Sequence, residues 1–103
     1  MTVYMNQARA IEVLKTLRPL LEARGIVRAG LFGSIGRDME GSRSDIDVVV
    51  TPADNTQLNL FDLGGIQTVL EEGFAGMEVD VVAEPIRQPE LKAAVERDRI
   101  DAF

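Results

Sequence analysis

The twenty residues from Leu31 to Val50 constrain this chain more than any other stretch, because they join a small-residue turn to an acidic strand. The turn contains Gly33, Ser34 and Arg37 and directly follows an apolar run. Exposed backbone N–H groups, a hydroxyl and a guanidinium are the groups that bind phosphate oxygens in proteins. The turn therefore predicts a phosphate-binding site, with a surface ion pair between Arg37 and a neighbouring acid as the alternative for that side chain.

The acidic half of the stretch places Asp45 and Asp47 directly before three valines. Valine favours strands, and residues two apart on a strand face the same side. The two carboxylates are therefore expected to point together, while Ile46 points into the core. Adjacent carboxylates repel unless a cation lies between them, and Mg²⁺ prefers oxygen ligands of this kind. The pair predicts a metal site immediately after the phosphate-binding turn.

Each motif alone is typical of ordinary structure. An Asp-x-Asp pair often lies at a solvated strand edge or caps a loop, and Gly-Ser turns are common in all protein classes. The two motifs in this order, roughly ten residues apart and leading into a strand, are a much more specific indication of nucleotide chemistry.

Length and composition restrict the chemistry further. The chain has 103 residues, and we expect a single domain over 1–103 with one hydrophobic core. The sequence has neither cysteine nor histidine, which excludes disulfides, thiolate metal sites and imidazole acid–base catalysis. Proton transfer would then depend on carboxylates.

The net negative charge of the chain limits the kinds of partner that it can bind. The formal net charge is −6, which disfavours work on long nucleic acid and favours a basic protein partner or a small nucleotide that arrives with its metal. The first residues show neither a signal peptide nor a membrane span, so a cytoplasmic location is the default expectation.

The hydrophobic pattern predicts an α/β (α+β) fold, in which helices pack on a three-stranded mixed sheet. Asn6 is the expected N-cap of the first helix, Pro19 is expected to kink that helix or begin a second one, and Gly25 follows its end. For residues 100–103, docking on the domain, docking on a partner and disorder all remain open. The predicted elements are a helix over 7–24, a strand over 26–32, a short helix beginning at Gly33 and Ser34, a strand over 45–51, a helix over 60–74, a strand over 77–83 and a helix over 90–99.

The third predicted strand carries a further candidate ligand. Asp80 lies between two valines, where a carboxylate costs free energy unless it is paired or bound to a metal. Glu78 shares the same strand face and is the competing candidate. From the residues alone, either side chain can complete a site with the first two aspartates.

Two motifs, Gly33-Ser34-x-Gly36-Arg37 and Ser44-Asp45-Ile46-Asp47, together resemble the signature of the polymerase-β-like nucleotidyltransferases. In its short length and in the segment Leu60-Phe61-Asp62-Leu63, the chain is similar to the minimal branch of this family, the MNT domains. Family members often have glycine directly after the arginine, where this chain has Asp38, so the path of the following loop is expected to differ.

The resemblance implies roles for individual residues. Gly33 and Ser34 would lie beneath the nucleotide triphosphate, with Arg37 neutralising its charge. Asp45 and Asp47 would hold Mg²⁺, and the family's third carboxylate matches Asp80 rather than Glu78. Two Mg²⁺ ions and ATP as the AMP donor are expected, and Asp80 is the candidate for accepting the acceptor's proton.

The resemblance also implies a biological role. MNT-domain proteins typically pair with a HEPN-domain ribonuclease toxin and silence it by transferring AMP to a tyrosine hydroxyl. For this chain we therefore expect an antitoxin in a hetero-oligomer. The alternatives are a non-catalytic antitoxin that neutralises by binding alone, and a small-molecule (antibiotic) nucleotidyltransferase.

Overall fold

The computed structural model describes residues 6–33, 46–54 and 56–103, in which helices pack on both faces of a mixed sheet. The helices and strands predicted over these residues occur in the expected order, with one additional strand near the end, and their bounds differ from the expected ones by at most two residues. Apart from Gly33, the predicted short helix lies outside the described residues. The elements are α1 (Gln7–Glu22), β1 (Ile26–Phe32), β2 (Ile46–Pro52), α2 (Leu60–Gly73), β3 (Val79–Ala83), α3 (Pro89–Asp98) and β4 (Ile100–Asp101).

Helix α1 begins as predicted at an asparagine cap, since the Asn6 side chain accepts a hydrogen bond from the Arg9 N–H at 2.8 Å. The helix continues through Pro19, so no second helix begins there. It ends at Glu22, and Gly25 follows with a φ of 86°, in the left-handed region that glycine tolerates best.

Within the described residues the sheet has four strands in the order β3-β2-β1-β4, so the expectation of three strands was wrong. Strand β1 pairs antiparallel with β2 on one side and with β4 on the other, while β2 and β3 are parallel. The additional strand, β4, has only two residues, too few to produce a recognisable period in the sequence. The open question of residues 100–103 is thereby answered: they dock on the domain.

Tertiary contacts hold this short strand in place. A Cβ on Gly30 would lie only 2.7 Å from the Ile100 carbonyl oxygen, so the close approach of the two strands requires glycine. Asp101 accepts a 2.6 Å hydrogen bond from the Arg28 guanidinium of β1. The final residue, Phe103, lies beneath the guanidinium of Arg18 with 5.0 Å between Cζ and the ring centroid.

The two faces of the sheet are covered differently. Helices α1 and α2 cover one face, and helix α3 covers the other through Val95, which packs with Phe32 and Val49. Leu60 and Phe61 lie at helical spacing with the other apolar residues of α2, but these two side chains are exposed. The fully buried side chains under α1 and α2 include Leu14, Leu21, Ile26, Leu31, Ile46, Val48, Val50, Ile66, Leu70 and Phe74.

The glycines of α2 have different surroundings. A Cβ on Gly64 would meet nothing within 4 Å, and Gly65 lies against the guanidinium of Arg24 from the turn after α1. Gly73 is the glycine at a close helix contact, because a Cβ there would lie 2.9 Å from Cδ2 and 3.0 Å from Cγ of Leu17.

Alanine substitutions at Gly64 and Gly73 should therefore shift stability in opposite directions. Gly64→Ala should raise the free energy of unfolding by about 0.5–1 kcal/mol, because alanine loses less backbone entropy in a helix and the added methyl is unobstructed. Gly73→Ala should lower it by about 1–3 kcal/mol, because buried Leu17 must move. Urea unfolding of the two variants beside the wild type measures both values, and equal shifts would contradict the packing described for this helix pair.

A cluster of polar side chains joins the far ends of β2 and β3 to the segment after α3. Arg99, whose side chain is only 11% exposed, donates 2.6 Å hydrogen bonds to both Glu84 and Asp101. Thr51 donates a further 2.6 Å hydrogen bond to Glu84. This last bond, aided by Arg99 and opposed by partial burial, lowers the pKa of Glu84. Burial raises the pKa of Asp101, but the hydrogen bonds from Arg28 and Arg99 outweigh it and lower that pKa overall.

Replacing Arg99 with methionine should destabilise the fold by about 1–3 kcal/mol, because two partly buried carboxylates lose their common cation. Both carboxylates have folded-state pKa values below their ordinary 4.5 and 3.8. The stability that they contribute is therefore complete above pH 5 and is lost as the pH falls through the folded-state values. Unfolding measured from pH 7 to 3 should show a steeper acid loss in the wild type than in Arg99→Met. Replacing the exposed Arg87 with methionine serves as the control and should reproduce the wild-type curve.

Candidate active site

The site is built on one row of residues that crosses three strands. In the strand register, Asp47 of β2 lies opposite Phe32 of β1 on one side and opposite Asp80 of β3 on the other. Register partners in a sheet share a face, and neighbouring strands are about 4.8 Å apart. The structure therefore brings the Asp47 and Asp80 carboxylates together near one end of the sheet, on the face that α3 covers.

The exposure of the two aspartates differs in a way that suits different roles. Asp47 is half-buried between its two neighbouring strands, whereas Asp80 lies on an edge strand and is exposed. A large acceptor can reach the Asp80 side from solvent, while Asp47 is held by strands on both sides. The pair thus combines a fixed ligand with an accessible carboxylate.

Gly33 completes the described part of the site from β1. It follows Phe32 directly and has a φ of 71°. A Cβ added here would lie 3.2 Å from Cγ of Asp47 and would collide with its Oδ2. The turn therefore approaches the carboxylate with bare backbone, and only glycine satisfies both the space and the backbone angle. The sequence indicated Gly33 as a phosphate-binding residue, but its contact with Asp47 depends on the register of β1 and β2 and has no local signal.

The register also distinguishes the two candidates on β3. Asp80 is the residue opposite Asp47, while Glu78 lies before the strand begins and its carbonyl oxygen accepts the Ile46 N–H at 3.0 Å. The geometry favours Asp80 as the partner of Asp47, in agreement with the family resemblance. Its chemical role is a prediction that depends on the proposal below.

Three of the predicted site residues, Ser34, Arg37 and Asp45, lie outside the described residues. Within residues 6–33, 46–54 and 56–103, no group of three acidic side chains that could hold a metal comes together. The described pair nevertheless fits a hard divalent cation, because two carboxylates from adjacent strands face the same space and both supply oxygen ligands. In that same part of the chain, no helix has both the length and the apolar character needed to cross a membrane.

A separate cavity of about 190 Å³ lies toward the opposite end of the sheet. Two carboxylates line it, and that of Glu84 is already bound by Thr51 and Arg99 in the structural cluster described above, so we assign the chemistry to the aspartate pair. The lining residues are Glu84, Pro85, Ile86, Lys92, Val95, Glu96 and Arg99.

Comparison with known proteins agrees with the motif and the fold. Residues 9–102 match the family model described as "Nucleotidyltransferase domain". A protein of Methanocaldococcus jannaschii named "Putative protein adenylyltransferase" is 33% identical over 92 residues, which are 89% of this chain and 96% of that protein.

Two solved structures show how far the fold is shared. A structure described as a "putative minimal nucleotidyltransferase" is 29% identical, with a TM-score of 0.67 over 96% of this chain and 98% of the other. A complex of tri-AMPylated HEPN toxin and MNT antitoxin from Shewanella oneidensis is similar at 20% identity, with a TM-score of 0.66 over 91% of this chain and 71% of the other. At that identity the second similarity establishes the fold alone.

Proposed function

Because this chain belongs to the nucleotidyltransferase domain family, we propose that it transfers AMP from ATP to a tyrosine hydroxyl of a HEPN ribonuclease toxin and so acts as its antitoxin. The observation that carries the proposal is the register pairing of Asp47 and Asp80 beside the bare backbone of Gly33. The relative named as a protein adenylyltransferase and the AMPylated toxin in the similar complex support a protein acceptor.

The proposed reaction is a displacement at the α-phosphorus of ATP. The acceptor oxygen forms a bond to that phosphorus, the bond between the phosphorus and the oxygen leading to the β-phosphate breaks, and pyrophosphate leaves. Asp80 accepts the proton of the hydroxyl, since it is exposed to the acceptor and the chain has no histidine for this task. Gly33, with Ser34 and Arg37 from the resemblance, binds the remaining phosphates.

The aspartates would also hold the metal. Asp45, Asp47 and Asp80 are the proposed ligands of two Mg²⁺ ions, and Asp47 is the ligand that both ions would share. When bound, such ions neutralise charge on the triphosphate and stabilise both the entering and the leaving oxygen. Asp47 suits the shared position because β1 and β3 fix its strand from both sides.

Label transfer tests the function directly. The chain and a purified HEPN-domain protein are incubated with Mg²⁺ and each of four α-labelled nucleoside triphosphates. We expect label on the HEPN protein with ATP, at a tyrosine by mass spectrometry, and no label when the metal is removed with a chelator. Toxin neutralisation without label would instead indicate the binding-only antitoxin. With an aminoglycoside added to the same reaction, label on the antibiotic and none on the HEPN protein would indicate the antibiotic-modifying alternative.

A further inference from the structure

The most exposed large apolar side chains among the described residues lie together at the start of α2. Phe61 is 90% exposed and Leu60 is 85% exposed. Their helix begins firmly, because Asn59 and Asp62 form a reciprocal capping box with hydrogen bonds of 2.8 and 2.9 Å. A rigid helix turn thus presents an aromatic and an aliphatic side chain to solvent, and such residues are typical anchors of protein interfaces.

Farther along the same face of α2, the side chains are first small and then, in the last turn, acidic. Gly64 follows Phe61 by three residues. The Thr68 hydroxyl donates a 3.0 Å hydrogen bond to the Gly64 carbonyl oxygen. Glu71 and Glu72 are exposed in the last turn. A flat helix surface allows another helix to approach closely. We call the surface formed by Leu60, Phe61, Gly64, Thr68, Glu71 and Glu72 the α2 face.

The chemistry of the α2 face indicates its occupant. Its acidic end and the net charge of −6 disfavour nucleic acid and an anionic membrane, and they favour a basic protein segment. The guanidinium of Arg24, from the turn after α1, lies against Gly65 beside this surface. A second copy of the chain fits poorly, because either orientation of two such helices sets acids against acids or acids against the apolar anchors.

The α2 face has a definite position relative to the aspartate pair. Helix α2 packs on the face of the sheet opposite Asp47 and Asp80, and its acidic end leads into β3, the edge strand that carries Asp80. A partner lying along α2 can therefore reach around this edge with its acceptor. We propose that the α2 face is the docking surface for the protein substrate, a basic amphipathic helix, separate from the catalytic site. This inference rests on the proposed function for the identity of the partner.

The first experiment measures binding and transfer separately, with the purified HEPN-domain protein as the probe. The double variant Leu60→Ser/Phe61→Ser should raise the Kd for this protein at least about tenfold. It should raise KM for labelling by a similar factor and leave kcat unchanged. Both side chains are almost fully exposed, so the melting temperature should stay at the wild-type value. Ile100→Ser, which removes an apolar side chain from β4 at the other edge of the sheet, is the control and should bind the HEPN protein with the wild-type Kd.

A charge-reversal pair tests the acidic end. Glu71→Lys/Glu72→Lys should slow association at low salt by about tenfold and reduce its dependence on ionic strength. Glu12→Lys/Glu90→Lys makes the same change of net charge on α1 and α3 and should have a much smaller effect.

The outcomes separate this inference from the proposed function. Wild-type binding and labelling by Leu60→Ser/Phe61→Ser would overturn the α2 face as the docking surface, as would a wild-type chain that does not bind the probe. A homodimer that this double variant dissolves, with labelling unchanged, would also overturn it and assign the face to self-association. Binding that depends on Phe61 without any label transfer would support the docking surface and reject the transferase proposal.

Discussion

Asp80→Asn should reduce AMP transfer at least about 100-fold, because the amide neither accepts the acceptor's proton nor supplies an anionic metal ligand. Asp47→Asn should have at least as large an effect, since Asp47 is the ligand proposed to be shared. Asp80 is exposed on an edge strand, so its substitution should change the free energy of unfolding by no more than about 0.5 kcal/mol. Initial rates of label transfer, measured with melting curves of the same preparations, check both statements.

Glu78→Gln is the matched control, because it removes the carboxylate two residues before Asp80 without touching the pair in register. We expect it to retain transfer. The reverse result, with Glu78→Gln inactive and Asp80→Asn active, would show that the third carboxylate is Glu78 and that the register argument fails. Activity in both variants, with Asp47→Asn inactive, would show that β3 supplies no essential carboxylate.

Gly33→Ala is the second variant with a large expected effect. A methyl at this position collides with the Asp47 carboxylate, and alanine at a φ of 71° adds about 1–2 kcal/mol of backbone strain. We expect a loss of stability of about 2–4 kcal/mol from strain and displacement together. Transfer should fall about 100-fold or more, because the carboxylate moves out of position.

Gly76 offers a control that separates these two causes. Its φ of 83° is similarly left-handed, but a Cβ there would meet nothing within 4 Å. Gly76→Ala should therefore lose about 1–2 kcal/mol of stability and keep full transfer activity. If Gly33→Ala kept wild-type kcat at a temperature where it is folded, the proposed contact between the turn and Asp47 would have no catalytic importance.

Much of the architecture was predictable because it depends on local signals. The helix cap at Asn6 and the apolar periods of the helices and strands are properties of neighbouring residues, and the elements that they predict are confirmed. The family assignment from the two spaced motifs is confirmed by the match over residues 9–102 and by the 33% identical relative. Strand periodicity also predicted that Asp47 would face away from Ile46, which packs in the core as expected.

The errors of prediction share one physical cause. The strand at Ile100 forms only because Gly30 lets it approach and Arg28 binds Asp101, which are contacts between residues some seventy positions apart. Phe61 shares the apolar period of α2, but the buried part of this helix lies farther along, at Ile66 and Leu70. Periodicity identifies a helix face, whereas the length of the underlying sheet and core decides how much of that face is covered.

The sequence by itself determined the chemistry available to this protein: a glycine turn, an aspartate pair leading into a strand, a further aspartate between valines, and no histidine or cysteine. Only the tertiary structure decided that Asp80 lies opposite Asp47, that Gly33 leaves room for the Asp47 carboxylate and that Phe61 remains in solvent. The reason is that residue types and local spacing are written along the chain, whereas strand register, close approach and burial arise from the free energy of packing distant segments together.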